Sequence, residues 1–169
     1  MRKFLLLAAF LWPLSAMAHP CILSQEQQHT LHTALQIGNK VGIGRQLAAV
    51  AFQESSLGQD PDSPGHFGAG SIGYVAWRIV IHTHPWLQRY FNGRNWASVL
   101  VNNTTVALWV CAYYLKYCRN HAANWWQAML MYRYGAPQDN GDYPEHINHR
   151  IAQINHFLMV SNIARQSAH

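Results

Sequence analysis

The sequence predicts a mostly α-helical protein built as a single domain. Its 169 residues are 50% hydrophobic and 11% charged, which is enough for one sizeable core and too little for two. Apolar residues recur at helical spacing, most regularly at Ile147, Ile151, Ile154 and Leu158. The chain has neither the turn signal of a hairpin nor a sustained alternation of apolar and polar residues, which favours helices over strands.

Start and stop signals predict two helices in the first third of the chain. Ser24 and Gln27 form a capping-box pattern, which opens a helix over residues 25–37. Gly38 is expected to end this helix, because glycine is the usual residue just past a helix C-terminus. A second helix begins near Gly44, where apolar residues return at helical spacing.

The second helix is followed by a long loop. Glu54 falls in its last turn, and residues 58–73 are then crowded with Gly, Pro, Asp and Ser. Such long irregular stretches are usually functional or disordered. The apolar stretch 72–84 has poor periodicity and ends at Pro85, and a short helix over residues 86–91 completes this half.

The second half predicts three further helices with clear boundaries. Asn103 or Thr104 caps a buried helix, and Asn124 caps the next one, which ends at Gly135. Pro144 opens the last helix, since proline is well placed in a first helical turn.

Residues 1–18 read as a secretory signal peptide, so that residues 19–169 form the mature domain. Two basic residues at positions 2 and 3 precede an apolar run over residues 4–14, and Ala-Met-Ala at 16–18 gives a small-residue cleavage site. No other apolar run approaches the roughly 18 residues of a membrane span, so we expect an exported protein that is not embedded in a membrane.

The charge balance limits the classes of partner. Cleavage would take away two of the twelve basic residues and none of the seven acidic ones, so the formal net charge falls from +5 to +3. A basic exported protein suits an anionic polymer. Lys and Arg form no run that favours nucleic acid, which we do not expect as a partner.

Three cysteines, Cys21, Cys111 and Cys118, would enter an oxidising compartment, where a disulfide is expected. On one helix, Cys111 and Cys118 would lie about 10 Å apart along its axis, beyond the roughly 7 Å limit for a bridge. We therefore expect Cys21 to pair with Cys111 or Cys118, with three buried free thiols as the alternative. Cys21 lies three residues past Ala18, which argues against a lipid anchor.

Carboxylates are scarce, and Glu54 is the one whose position needs an explanation. Glu26 and Glu145 fall in first helical turns, where acidic residues complement the helix dipole. Glu54 instead lies at a helix C-terminus after an apolar run, and both features disfavour its charged form. A carboxyl group that is kept partly neutral can act as a general acid, whereas the alternative is an exposed glutamate at a helix end.

Four segments resemble the soluble-type lytic transglycosylases of the lysozyme-like superfamily. Residues 51–57, Ala-Phe-Gln-Glu-Ser-Ser-Leu, resemble the family's E-S-x-[FL] signature, and residues 70–76 occupy the place of its G-x-x-G-L-M-Q segment. Residues 105–115 resemble the next helix, which ends near a Tyr-Leu pair, and residues 128–135 resemble the A-x-x-x-Y-N-x-G stretch. The matches follow the family's order and cover roughly residues 22–155.

We expect a monomer without a cofactor or metal. The resemblance implies a single domain related to goose-type lysozyme. It makes Glu54 the single catalytic acid and base, in a periplasmic enzyme that cleaves peptidoglycan glycan strands and leaves 1,6-anhydromuramoyl ends. Small enzymes of this type often open the wall for an envelope-spanning secretion or conjugation machine, which is therefore a candidate partner. The matched segments carry the expected substrate contacts: Ser55, Ser71, Gly73, Tyr74, Ala76, Tyr132 and Arg133.

Two positions depart from the family pattern. Ala76 stands where the family has glutamine, and Arg133 stands where it has asparagine. Loss of an amide removes hydrogen bonds to a sugar. Arg133 is open to two interpretations, a contact with a peptide-stem carboxylate or a surface arginine at a helix end.

Hydrolysis would require a second carboxylate about 5 to 9.5 Å from the acid. Asp60 and Asp62 are close to Glu54 in sequence, but both also suit a turn rich in proline. The alternatives are therefore a lysozyme-like hydrolase that uses Asp60 or Asp62, and a non-catalytic protein of wall binding or assembly.

The eleven histidines raise the question of a metal site. Three short-spaced pairs could supply imidazole ligands: His29 with His32, His82 with His84, and His146 with His149. None of these pairs has a third carboxylate or thiolate ligand nearby in sequence, so we expect histidines without a metal.

Overall fold

The computed structural model describes residues 23–166, with side chains described as far as residue 162. The predicted signal peptide and Cys21 lie outside this range. The protein is mostly helical, as the sequence predicts. Its helices are α1 (Gln25–Val41), α2 (Arg45–Ser55), α3 (Tyr74–Thr83), a 3₁₀ helix (Pro85–Tyr90), α4 (Trp96–Asn102), α5 (Thr104–His121), α6 (Trp125–Tyr134) and α7 (Tyr143–Gln166).

The central helix is α5, and most of its apolar residues are fully buried. It packs against α1, α2, α3, α4 and α6, whereas α7 covers α2 and α6. Helix α2 is buried almost throughout, from Leu47 to Phe52, because it lies between α1 and α7. Its C-terminal end therefore opens at the place where α6 and α7 meet it.

The expected helix caps are present at several ends. Ser24 and Gln27 bond reciprocally as a capping box, with the Ser24 Oγ accepting from the Gln27 amide at 3.2 Å. Asn103 caps α5 and Asn124 caps α6 through their side-chain oxygens, and Gly135 ends α6 at φ +78°.

The expected end of the first helix is wrong. Helix α1 continues to Val41, and the left-handed residue that ends it is Gly42 at φ +78°. Gly38 lies inside the helix, where a Cβ would collide with the carbonyl oxygen of Gly44. Glycine is therefore required at position 38 for the close approach of the chain that enters α2.

The loop after α2 contains a small sheet that the sequence pattern does not predict. Strands β1 (Asp62–Ser63), β2 (His66–Phe67) and β3 (Ile72–Gly73) pair antiparallel in the order β1-β2-β3. Two-residue strands are too short to show alternation, which explains why they escape periodicity arguments. Helix α4, capped by Asn95, is a second element that was not expected.

Within residues 23–166, no single helix is both long enough and apolar enough to cross a membrane. Helices α4 and α5 reach the required length and composition only together, as a pair bent by 110°.

Candidate active site

Glu54 lies in the last turn of α2, where its side chain is 6% exposed. The chain turns sharply just beyond it, since Ser56 and Leu57 both adopt left-handed backbone angles, with φ of +49° and +62°. The turn is fixed by Ser55, whose buried Oγ donates to Ala69 O at 2.8 Å and accepts from the Gly58 amide at 2.8 Å. The carboxyl group is thereby held at the negative end of a buried helix.

Arg133 forms an ion pair with Glu54. Its Nη1 donates to Glu54 Oε2 at 3.2 Å, and its guanidinium lies 5.9 Å from the ring centroid of Tyr143. Arg133 belongs to the last turn of α6, and 48% of its side chain is exposed. Burial and the helix end make a negative charge on Glu54 costly, and the adjacent guanidinium offsets that cost. The sequence did not show this pairing, because the two residues are 79 positions apart.

The loop that faces Glu54 is fastened by Tyr132. The Tyr132 hydroxyl donates to the carbonyl of Gly70, and it lies 3.1 Å from the Sγ of Cys111. Gly70 has no room for a side chain, since a Cβ there would come within 2.6 Å of Cys111 Sγ. The next residue, Ser71, adopts φ +52°. This packing sets the course of the chain past the carboxyl group.

Three groups close to Glu54 stay neutral at ordinary pH. Burial raises the pKa of Tyr132 well above its usual range and raises the pKa of Cys111 to about 12. Burial also raises the pKa of Tyr143, with a further contribution from the charge of Glu54. The Tyr143 hydroxyl is buried and faces the Glu54 carboxyl group, without a well-formed hydrogen bond to any described residue.

Two neighbouring cavities meet at Arg133. The first has a volume of about 460 Å³ and contains Glu54, and the second has a volume of about 370 Å³. Both are open to solvent, and they share Ser71, Arg133 and Tyr134 as lining residues. Together they form a groove, which we call the Glu54 groove, with the Arg133 guanidinium at the junction between its two halves.

Most of the expected substrate contacts line this groove. Ser71 and Arg133 line both halves, and the second half is also lined by Gly73, Tyr74, Ala76 and Tyr132. Ser55 is the exception, because it is 2% exposed, lines neither half and forms hydrogen bonds to backbone groups. Its placement is that of a residue that shapes the turn beside Glu54.

The exposed aromatic rings of the groove belong to Tyr74 and Tyr134 rather than to Tyr132. Tyr132 was expected to face a ligand, but it is 8% exposed, whereas Tyr74 is 50% and Tyr134 is 48% exposed. The ring of Tyr74 is supported by Trp77 and Trp96, with centroid distances of 5.6 and 5.7 Å. Tyr74 and Tyr134 therefore offer the rings on which a sugar can stack.

The carboxylates near the groove also differ from expectation. Asp60 and Asp62 are exposed, and neither lines the half that contains Glu54. Asp142 does line it, and its Oδ2 lies 3.7 Å from His146 Nε2. The sequence alone does not place Asp142, Tyr143 and His146 beside Glu54, because only the packing of α7 on α2 brings them into the same cavity.

The histidine pairs and the cysteines have the following surroundings. Within residues 23–166, no group of three His, Cys, Asp or Glu side chains is placed to hold a metal ion. His84 stacks on Tyr113 at 3.6 Å, and burial lowers the pKa of His84. Cys111 and Cys118 are both buried thiols, and their expected partner Cys21 lies outside the described residues.

The Glu54 groove thus combines the buried carboxyl group of Glu54, the long cationic side chain of Arg133 and two exposed aromatic rings. Such a site suits acid and base catalysis on an extended ligand with ring faces and polar substituents. No protein-family model, curated protein or solved structure matches this chain.

Proposed function

We propose that this protein is a peptidoglycan lytic transglycosylase with a lysozyme-like, goose-type-related domain. The observation that carries the proposal is the placement of Glu54, a nearly buried carboxyl group at a helix end that opens into a groove. The groove is lined by residues of all four segments that resemble the family. The net positive charge of the mature chain suits an anionic glycan, and the N-terminal signal suits a periplasmic location.

The proposed reaction needs one carboxyl group that acts twice. In its protonated form, Glu54 donates a proton to the oxygen of the glycosidic bond between MurNAc and GlcNAc, and the bond from that oxygen to the MurNAc anomeric carbon breaks. The 2-acetamido group of the substrate stabilises the positive charge on this carbon. The carboxylate of Glu54 then accepts the proton of the MurNAc 6-hydroxyl, whose oxygen bonds to the anomeric carbon. The product is a 1,6-anhydromuramoyl end, and no water is consumed.

The surroundings of Glu54 support this use of a single group. Tyr132, Tyr143 and Cys111 remain uncharged and buried, so they add no competing acid or base at ordinary pH. The exposed rings of Tyr74 and Tyr134 would stack on sugar faces along the groove. Ala76 supplies no amide in this groove, so sugar binding would depend more on these rings.

A lysozyme-like hydrolase is the second candidate, because Asp142 lines the same half of the groove as Glu54. A second carboxylate could activate a water molecule or stabilise the sugar cation. This version replaces Asp60 and Asp62 by Asp142, whose side chain is 71% exposed and paired with His146.

Product analysis on purified murein sacculi tests these candidates. We expect the mature wild-type protein to release fragments with anhydro ends and Glu54→Gln to lower turnover by at least about 10²-fold, since acid and base catalysis contributes 10²- to 10⁴-fold. Asp142→Asn should retain most activity. The matched control is Glu26→Gln, which makes the same change at an exposed glutamate that does not line the groove.

Each alternative has its own outcome. Reducing ends together with an equal loss of activity in Asp142→Asn would establish the hydrolase. Binding to sacculi without cleavage by the wild-type protein would establish the non-catalytic wall-binding protein. If a well-folded Glu54→Gln variant cleaved sacculi at the wild-type rate, Glu54 would not be the catalytic group.

A further inference from the structure

Arg133 occupies a position that conflicts with a simple acid role for Glu54. A general acid must carry a proton, but the guanidinium at 3.2 Å stabilises the form of Glu54 that has lost it. Within the described part of the chain, Arg133 is the one basic side chain that forms an ion pair with Glu54. A cycle that begins with a protonated Glu54 therefore requires Arg133 to move away first.

The other charged and titratable groups around Glu54 do not replace Arg133. Tyr132 on α6, Tyr143 on α7 and Cys111 on α5 are all neutral. Across the same half of the groove, His146 faces Asp142 rather than Glu54. On α7, Arg150 donates to Gln53 Oε1 at 3.0 Å and to Gln153, so its guanidinium is already engaged.

Arg133 is accessible to a ligand. Nearly half of its side chain is exposed, and it lines both halves of the Glu54 groove. A ligand that runs along the groove would thus pass directly over the guanidinium. The planar guanidinium binds carboxylates in a paired geometry that an asparagine amide cannot reproduce.

We propose that Arg133 is a carboxylate subsite of the Glu54 groove, for which a substrate carboxylate competes with Glu54. When the substrate carboxylate binds Arg133, the ion pair between Arg133 and Glu54 opens, and the guanidinium no longer holds the group that the proposed function uses as its acid. The subsite makes cleavage depend on an anionic substituent, and this inference rests on the proposed function.

Peptidoglycan offers this carboxylate from two sources. One is the lactyl group of muramic acid in strands without peptides, and the other is the carboxylates of the peptide stems. Three substrates distinguish them: strands without peptides, the same strands with their lactyl groups converted to neutral methylamides, and strands that carry intact stems.

Binding tests the subsite without relying on turnover. Affinities are compared with those for the methylamide strands, which carry no lactyl charge. Glu54→Gln should bind one or both anionic strands about 3- to 10-fold more tightly than wild type, because the change releases Arg133 from a partly exposed ion pair. This gain should vanish when Arg133→Gln is already present. A gain of equal size in both backgrounds would show that Glu54 only repels the anion, and no gain at all would show that Arg133 is not shared. Either result overturns the proposal.

Turnover provides the second readout. Wild type should cleave at least one anionic strand about 10-fold or more faster than the methylamide strand, at the level of kcat/KM. Arg133→Gln should lose this preference, Arg133→Lys should retain part of it, and Arg94→Gln, which removes a charge from a separate cavity, should leave it unchanged.

The outcomes separate the two proposals. If wild type cleaves strands but shows no preference for anionic ones, or if Arg133→Gln keeps the preference, the subsite is refuted and the proposed function stands. If no strand is cleaved but the binding gain of Glu54→Gln depends on Arg133, the subsite stands and the proposed function fails.

Discussion

The loop that faces Glu54 is held by the buried hydroxyl group of Tyr132, and removal of this hydroxyl should lower the free energy of unfolding. Tyr132 donates to the carbonyl of Gly70, and its ring packs against Tyr114 with a centroid distance of 5.4 Å. The change Tyr132→Phe keeps the ring but leaves the Gly70 carbonyl without this donor in the protein interior. An unsatisfied buried polar group costs about 1–3 kcal/mol, so we expect the free energy of unfolding to fall by that amount.

Tyr143 provides a matched control on the same site. Its hydroxyl is also buried, but it makes no well-formed hydrogen bond to a described residue, and the group that it faces is the Glu54 carboxyl. The change Tyr143→Phe removes a polar group whose burial is at most weakly compensated. We therefore expect Tyr143→Phe to be within about 0.5 kcal/mol of wild type or more stable, in contrast to Tyr132→Phe.

Urea denaturation followed by far-ultraviolet circular dichroism measures both variants. The midpoint should fall for Tyr132→Phe at an unchanged slope, which indicates a true loss of stability. In thermal scans a loss of 1 kcal/mol corresponds to about 2–4 °C for a chain of this size. Equal losses in the two variants, or a Tyr132→Phe protein as stable as wild type, would refute the assignment of the hydrogen bond to Gly70.

Two further predictions concern positions outside the groove. Local helix propensity predicts that Gly38→Ala stabilises the protein by up to about 1 kcal/mol, but the contact with the Gly44 carbonyl predicts a loss of about 1–3 kcal/mol. Urea denaturation decides the sign, and a stabilised variant would contradict the close approach. In exported protein, non-reducing peptide mapping should find Cys21 bonded to Cys111 or Cys118. The remaining thiol should resist iodoacetamide at pH 8 until the protein unfolds, because burial raises the pKa of each thiol to about 12. Three free thiols in exported material would exclude the bridge.

Local sequence signals predicted the helices where capping and periodicity agree. The Ser24 capping box, the asparagine caps of α5 and α6, and Gly135 at the end of α6 all act within one turn of the chain. Such signals depend on neighbours three or four positions away, so they are visible without the fold. The mostly α architecture follows from them.

The errors arise where a distant segment decides the local structure. Gly38 resembles a helix end in isolation, but the packing of the chain before α2 makes it an interior residue. The loop that contains the three short strands is held from outside, because Ser55 bonds to Ala69 and Tyr132 bonds to Gly70. Neither contact could be inferred from the composition of residues 58–73, which predicted a loop.

The same distinction applies to the site. The position of Glu54 in the last turn of a helix could be predicted, because the apolar run before it and the turn residues after it mark this helix end locally. The assembly of Asp142, Tyr143 and His146 around it could not, because α7 reaches α2 only in the folded protein. In the sequence, Arg133 stands out only as a departure from a family pattern. In the structure, Arg133 forms an ion pair with Glu54.

The ion pair with Arg133 explains how the fold tolerates a buried Glu54. A carboxylate that is 6% exposed at the negative end of a helix is destabilising unless it gains a proton or a cation. In the resting groove the cation is Arg133, and its reach from α6 also joins this helix to the end of α2. During the proposed reaction the proton must take its place. The exchange of one for the other requires something to hold Arg133 elsewhere, and an anionic ligand in the groove meets that requirement without any movement of the helices.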